Sequence, residues 1–322
     1  MLLVGCGALG TTIADQLVRA GVGFLRIADR DIVELTNLQR QVLFDEGDVA
    51  AGTPKAVAAA ERLRRVNSSV AVEPAVTDVH ARNIEELAGI GFDGGPMHLL
   101  IDGTDNVETR YLLNDVAVKH EIPWVYGACV GVEGRVMPVQ PGKTPCLRCI
   151  FPNPPGPGEL ATCDTAGVLG PAAAVVASIQ ATIALQLLVG ATPPNQLTRI
   201  DLWRGRLGAT PLDDARQADC ACCGNQRFEF LDAPAGTGSS TSLCGRNAVQ
   251  VRPAVAGRMD LTAVARRLAQ VTDIQQTPYL LKCRLPESLE IALTLFPDGR
   301  AIVHGTSDLV RARTVYARWV GT

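Results

Sequence analysis

The chain has no basic tract, and its net charge over 322 residues is −3. Affinity for a phosphate backbone needs concentrated lysine and arginine, so a mainly electrostatic nucleic-acid binder is excluded and no nucleic-acid partner is expected. The start of the chain lacks the charged-then-apolar pattern of a secretory leader, which points to a reducing, cytoplasmic setting in which the ten cysteines are thiols or metal ligands. The four histidines are scattered without partner spacing and carry no assigned role. Charge is also missing between Asp164 and Arg199, a span long enough to cross a bilayer. Alanine dominates that span, and Pro171, Ser178, Gln180, Thr182 and Gln186 interrupt it. The expected structure is a helix buried on most sides in a soluble core, with no membrane partner. No internal repeat is evident.

What is present is more specific. Cys146 and Cys149 form one C-x-x-C pair, and Cys220 and Cys223 form a second some seventy residues later. Two such knuckles present four thiolates to one ion, the donor set of a closed, structural Zn²⁺ site. Cys222 lies inside the second knuckle and competes as a ligand, although the C-x-x-C-Gly register favours Cys223. Cys6, Cys129 and Cys283 read as small buried apolar residues.

The other signal is Gly5-Cys-Gly-Ala-Leu-Gly10, directly after the apolar run Leu2–Val4. Leu9, Ile13, Leu17 and Ala20 follow at helical spacing, and a second strand, Phe24–Ala28, ends in Asp29. This is a βαβ unit with an acid about twenty residues beyond the glycines. Thr53 and Pro54 open a helix as N-cap and first-turn proline, and Val70–Val76 is the next strand. His98–Ile101 reads as a buried parallel strand, followed by Asp102-Gly-Thr-Asp-Asn106 and a helix. The alternation predicts an α/β fold, a doubly wound, mostly parallel Rossmann-like sheet, with ligands at the carboxyl ends of its strands. Pro152–Gly158 is an exposed crossover loop leading to Cys163. Residues 233–243 have linker composition. The expected domains are therefore 1–232, nucleotide-binding with the zinc knuckles, and 244–322, a small C-terminal α+β domain of unknown function.

Gly5, Gly7 and Gly10 bring backbone N–H groups close to phosphate oxygens at a helix N-terminus, or else make a tight packed turn. Asp29 suits ribose hydroxyls. Lys55 lies in the first turn of its helix, where a cation opposes the dipole unless an anion is near; a phosphate resolves that conflict, and Arg40 offers a second, forked contact. Asp105 either caps the helix after it or ligates Mg²⁺, with Asp102 as its supporting partner. Cys163, near a helix N-terminus, is either a reactive thiolate or an inert loop cysteine.

Taken together, Gly5–Gly10, Asp29-Arg-Asp31, Asn37-Leu-Gln-Arg-Gln41, Gly52-Thr-Pro-Lys55, Thr104-Asp-Asn106, the knuckles and Thr162-Cys163 resemble the ThiF/MoeB group of adenylyltransferases, relatives of the ubiquitin-activating enzymes, over about residues 1–231. The resemblance implies ATP-dependent adenylation of the C-terminal glycine of a small ubiquitin-like sulfur carrier ending in Gly-Gly. It implies a homodimer and a sulfurtransferase or cysteine desulfurase as a further partner. Asp29 and Asn37 would hold the sugar, Arg40 and Lys55 the phosphates, and Asp105 the Mg²⁺. Cys163 matches a crossover-loop cysteine that some members link covalently to the carrier and others do not need. Members carry an N-terminal helix whose arginine enters the partner subunit's site; this sequence begins at the first strand, so either its start lies upstream or it manages without that arginine. A rhodanese-like cysteine loop is missing after residue 244. Alternative functions are an NAD-dependent dehydrogenase, to which the glycine loop and Asp29 apply equally, a relative that dehydrates a modified tRNA adenosine, and a non-catalytic scaffold binding ATP or carrier.

Overall fold

The computed structural model describes residues 1–156, 166–233, 240–243 (backbone only), 247–253, 259–286 and 290–321. Cys163, and most of the 233–243 stretch, lie outside the described residues. Two compact units result, Met1–Pro234 and Ala235–Thr322.

In the first unit, Leu2–Val4 forms β1, Ala8–Arg19 α1 and Phe24–Asp29 β2. A 3-10 turn over Leu35–Asn37, a short α2 (Glu46–Ala51) and α3 (Lys55–Val66) precede β3 (Ala71–Val76). Then come α4 (Ile84–Leu87), β4 (Leu100–Asp102), α5 (Val107–Lys119), β5 (Trp124–Val130) and β6 (Glu133–Val139). The unit continues with α6 (Leu147–Ile150), α7 (Gly170–Leu188), β7 (Gln196–Asp201) and β8 (Arg206–Pro211). One eight-stranded sheet runs in the order β3-β2-β1-β4-β5-β6-β7-β8. Its first five strands are parallel, with Leu3 level with both Ile27 and Ile101, and β5 through β8 are antiparallel.

Because strand side chains alternate between faces, Leu3, Ile27, Ile101 and Val125 pack under α1, α3 and α7 on one side. Leu2, Val4, Leu100 and Trp124 pack with α5 and the cysteine knuckles on the other. Each fully buried Leu or Ile contributes roughly 1.5–3 kcal/mol relative to exposure, so both faces must be covered, as a doubly wound parallel sheet requires. The uncharged α7 is long and apolar enough to span a membrane. Here Ala172, Ala173, Val176, Ala177, Ala181 and Ala184 are buried, and the helix packs on α1, β5 and β6.

Boundaries differ from expectation where caps decide them. Pro54, extended at φ −60°, ψ 139°, is itself the N-cap of α3, one residue beyond Thr53. β4 starts at Leu100 instead of His98. The hairpins β6 to β8 were not evident in the sequence; every residue of β8 is exposed, so no alternation of apolar and polar marks it.

The second unit holds a six-stranded antiparallel sheet, β11-β12-β13-β14-β10-β9. Its strands are β9 (Ser240–Leu243), β10 (Ala248–Val251), β11 (Ile274–Gln276), β12 (Leu281–Arg284), β13 (Ala292–Leu295) and β14 (Ala301–His304). Helices α8 (Leu261–Leu268) and α9 (Leu309–Trp319) supply Val264, Leu268, Ala312 and Tyr316 to its core. β9 falls in the stretch expected to be linker: it pairs with β10, Ser240 opposite Val251. Backbone pairing overrides its serine- and threonine-rich composition.

Candidate functional site

Strand order reverses direction between β1 and β4, and the loops leaving those two strands interlock. Gly5 has φ +88°, a conformation open to glycine, and a Cβ there would lie 2.7 Å from the carbonyl carbon and oxygen of Gly103. A Cβ on Gly103 would meet Gly5 O at 2.4 Å, and one on Gly10 would meet the same oxygen at 2.0 Å. Three glycines thus bring backbone against backbone. Gly7 differs: a Cβ there would touch only Gln41 Nε2, at 3.8 Å. Gly7 is the N-cap of α1 and no side chain caps it, which leaves the helix N-terminus to attract an anion.

Asp29 joins this loop to the end of β2. Its Oδ2 accepts the Cys6 N–H at 2.6 Å and its Oδ1 the Asp31 N–H at 2.7 Å. Each oxygen keeps a further lone pair. Burial pushes the Asp29 carboxyl above its usual range, against the pull of the Lys55 ammonium.

Lys55 is buried in the first turn of α3, and its Nζ donates to Asp31 Oδ2 at 3.0 Å. The conflict between cation and helix dipole is therefore met by Asp31 in the protein itself. Asn37 is buried; its Oδ1 accepts the Glu34 N–H at 3.1 Å and closes the 3-10 turn. Arg40 donates from Nη1 to Thr36 O at 2.9 Å, and the strap it belongs to crosses the start of α7, where a Cβ on Gly170 would lie 3.2 Å from Gln39 O. Gln41 was quoted in the sequence motif without a role. The structure buries it to 3% exposure beside Gly7, and its Oε1 has no hydrogen-bond partner among the described residues. A buried amide oxygen without a donor is costly, and its place at the uncapped helix end marks ground where a bound molecule would supply one. Its only sequence signal was polarity next to the Asn37–Arg40 string.

At the end of β4, the fully buried Asp102 accepts from Thr104 N (2.9 Å) and Oγ1 (2.7 Å) on Oδ1, and from Arg110 Nε (3.0 Å) on Oδ2. Arg110 Nη2 also donates to Thr104 O at 2.6 Å. Burial pushes the Asp102 carboxyl up, with Arg110 acting in the opposite direction. Of the two readings of Asp105, the cap falls away. Asp105 does not cap α5: Asn106 is the N-cap, its side chain accepting from Thr109 N at 3.2 Å. Asp102 supports Asp105 through the loop that carries it, by its bonds to Thr104 and Arg110. Asp105 itself is exposed, a carboxylate presented to solvent by a braced loop.

The knuckles meet on the far face of the sheet. The sulfurs of Cys146, Cys149, Cys220 and Cys223 lie within 4.8 Å of one another, with Cys146···Cys220 3.6 Å, Cys149···Cys223 3.4 Å and Cys146···Cys149 4.0 Å. Tetrahedral ligation at about 2.3 Å per Zn–S bond separates sulfurs by about 3.8 Å, so the donor set and spacing fit that ion. Cys222 is buried next to Cys146 without joining the four mutually close sulfurs, and Cys6, Cys129 and Cys283 are buried and not among them.

Comparison with known proteins follows from this arrangement. Residues 1–222 match the model of the ThiF family. The chain is 45% identical over 321 residues to "Sulfur carrier protein ThiS adenylyltransferase" of Bacillus subtilis, covering 99% of this chain and 92% of that one. It is 40% identical over 234 residues to "SAMP-activating enzyme E1" of Haloferax volcanii, covering 72% and 83%. Among solved structures, E. coli MccB with ATP superposes with a TM-score of 0.59 at 21% identity, over 70% of this chain and 66% of that one, a likeness of fold. The family match over the glycine loop, the acidic strand ends and the first knuckle, together with near-full-length identity to a curated relative, shows that the chain belongs to the ThiF family.

Proposed function

We propose that this protein uses ATP to adenylate the C-terminal glycine of a small ubiquitin-like sulfur carrier. The observation that carries the reading is the meeting of loops beyond the carboxyl ends of β1, β2 and β4. It gathers the uncapped N-terminus of α1, the Asp29 carboxylate and the unsatisfied Gln41 amide oxygen, with Lys55 linked to them through Asp31. Asp29 accepts ribose hydroxyls with its remaining lone pairs, Asn37 lines the sugar, and Arg40 and Lys55 hold the phosphates. The carrier carboxylate attacks the α-phosphorus, the bond to the bridging oxygen breaks, and pyrophosphate leaves; the product is a mixed anhydride with a good leaving group where a resonance-stabilised carboxylate stood. Asp105 offers the exposed oxygen donor that Mg²⁺ prefers, and the ion would neutralise charge on the departing pyrophosphate. Cys163 then serves as the thiol that displaces AMP from the adenylate and holds the carrier as a thioester. The cysteine cluster holds Zn²⁺ with four protein ligands, leaving no open position, so its role is structural. The working assembly is a cytoplasmic homodimer. A dehydrogenase has no use for Arg40, Lys55 or Asp105.

The test is ATP–pyrophosphate exchange with a ThiS-type carrier ending in Gly-Gly. Exchange that requires the carrier and is lost when its last glycine is removed supports the reading; ATP and carrier binding without exchange sinks it in favour of a scaffold. Within it, Lys55→Ala is expected to weaken ATP binding by roughly 1.5–3 kcal/mol, the scale of a charge-assisted hydrogen bond, as read by titration calorimetry. Unchanged affinity would leave Lys55 as the partner of Asp31 alone.

A further inference from the structure

The second knuckle offers three thiols within four residues, Cys220, Cys222 and Cys223, and only two complete a four-sulfur cluster with Cys146 and Cys149. The C-x-x-C-Gly spacing favours Cys223, and the fold must still keep Cys222, its immediate neighbour, from displacing it. Asn114, fully buried on α5, touches both knuckles. Its Oδ1 accepts the N–H of Leu147, between the two cysteines of the first knuckle, at 2.8 Å, and its Nδ2 donates to Cys222 Sγ at 3.2 Å. On the next residue, Asp115 Oδ2 accepts from Phe230 N at 2.8 Å and Leu231 N at 3.4 Å, pinning the chain that follows the second knuckle to the same helix.

We infer that Asn114 is a positioning residue that sets the register of the second knuckle: its carboxamide holds Cys222 out of the cluster so that Cys223 faces Cys149. The inference rests on the reading of the cluster as a Zn²⁺ site. The amide has one donor side and one acceptor side, and the two knuckles occupy one each. With Leu147 N–H fixing the orientation, the N–H₂ can point only toward the sulfur. That hydrogen bond holds Cys222 between Asn114, the Asp115 carboxylate and Cys146, beside the four-sulfur group and not within it, and the single-residue offset then turns Cys223 toward Cys149, 3.4 Å away. Residues hydrogen-bonded to metal ligands typically govern affinity by about 10- to 100-fold; Asn114 acts one residue removed, on the neighbours of Cys146 and Cys223.

The experiment follows zinc itself, in the full chain purified without chelator, by metal analysis and by the rate of transfer to a chromogenic chelator. Cys222→Ala should keep stoichiometric zinc and a wild-type release rate, whereas Cys223→Ser should release zinc at least about tenfold faster. Asn114→Asp keeps an oxygen for Leu147 N–H but removes the donor to Cys222, and should also accelerate release. The decisive combination is Cys223→Ser with Asn114→Asp. If Asn114 selects the register, freeing Cys222 lets it take the vacant position, and release becomes slower than from Cys223→Ser alone. A merely structural asparagine would make the double variant worse. Release from Cys222→Ala as fast as from Cys223→Ser, or no slowing in the double variant, overturns the inference while leaving the zinc reading intact. Wild-type protein without zinc overturns both.

Discussion

Asp105→Ala is expected to reduce carrier-dependent ATP–pyrophosphate exchange by a factor of about a hundred to a thousand or more, the scale seen when one preorganised electrostatic contact to a reacting centre is removed. The same substitution should leave unfolding within about 0.5 kcal/mol of wild type, as for exposed positions away from caps and cores. Both halves follow from the structure. Asp105 is exposed, and the capping bond that would have given it a structural role belongs to Asn106. The loop is braced by Asp102, Thr104 and Arg110, so truncating Asp105 removes a carboxylate and its charge near Arg110 but none of the hydrogen bonds of that brace. Near-normal exchange would show that Asp105 takes no part in adenylation; a large loss of stability would show that the activity defect is one of folding.

Gly10→Ala should be among the most damaging single-methyl additions in the first unit. The added carbon would lie 2.0 Å from Gly5 O, and that oxygen cannot retreat. Gly5 is itself held by its N–H to Ala28 O at 2.8 Å, by φ +88°, and by the Gly103 backbone against it. Overpacking against flexible side chains costs about 1–3 kcal/mol; against three interlocked backbones the expectation is the upper end of that range or more, seen as a lowered denaturation midpoint or failure to fold. Gly7→Ala is the matched control. Its new methyl meets only Gln41 Nε2 at 3.8 Å, and the cost is confined to a backbone at φ −91°, ψ −144° that alanine adopts less readily than glycine, so the loss of stability should be smaller than for Gly10→Ala while ATP affinity falls, because the methyl fills space at the helix N-terminus. Equal stability of the two variants would mean the glycine loop relaxes freely, and the proposed site would lose its rigid floor.

The sequence by itself determined what depends on neighbours along the chain. Leu2–Val4 followed by Gly5–Gly10 and the Leu9, Ile13, Leu17 repeat specifies strand, turn and helix through φ/ψ preference and side-chain period, and the β2 strand ending in Asp29 follows from the same period. Paired cysteines two residues apart likewise declare a metal site, because one turn of chain fixes their mutual distance. Contacts between segments far apart were not legible. That Lys55 meets Asp31, that Gln41 lies over Gly7, that Gly10 is forced by the carbonyl of Gly5 against Gly103, and that Asn106 caps where Asp105 could have, are outcomes of how loops from different strands converge. The edge strand β8 escaped notice for a related reason: it is exposed throughout, carries no apolar alternation, and is defined by its pairing partner alone. The choice of Cys223 over Cys222 followed from the C-x-x-C-Gly spacing, whereas the hydrogen bond that holds Cys222, from a buried amide on another helix, belonged to the tertiary structure, because no spacing along the chain brings α5 to that thiol.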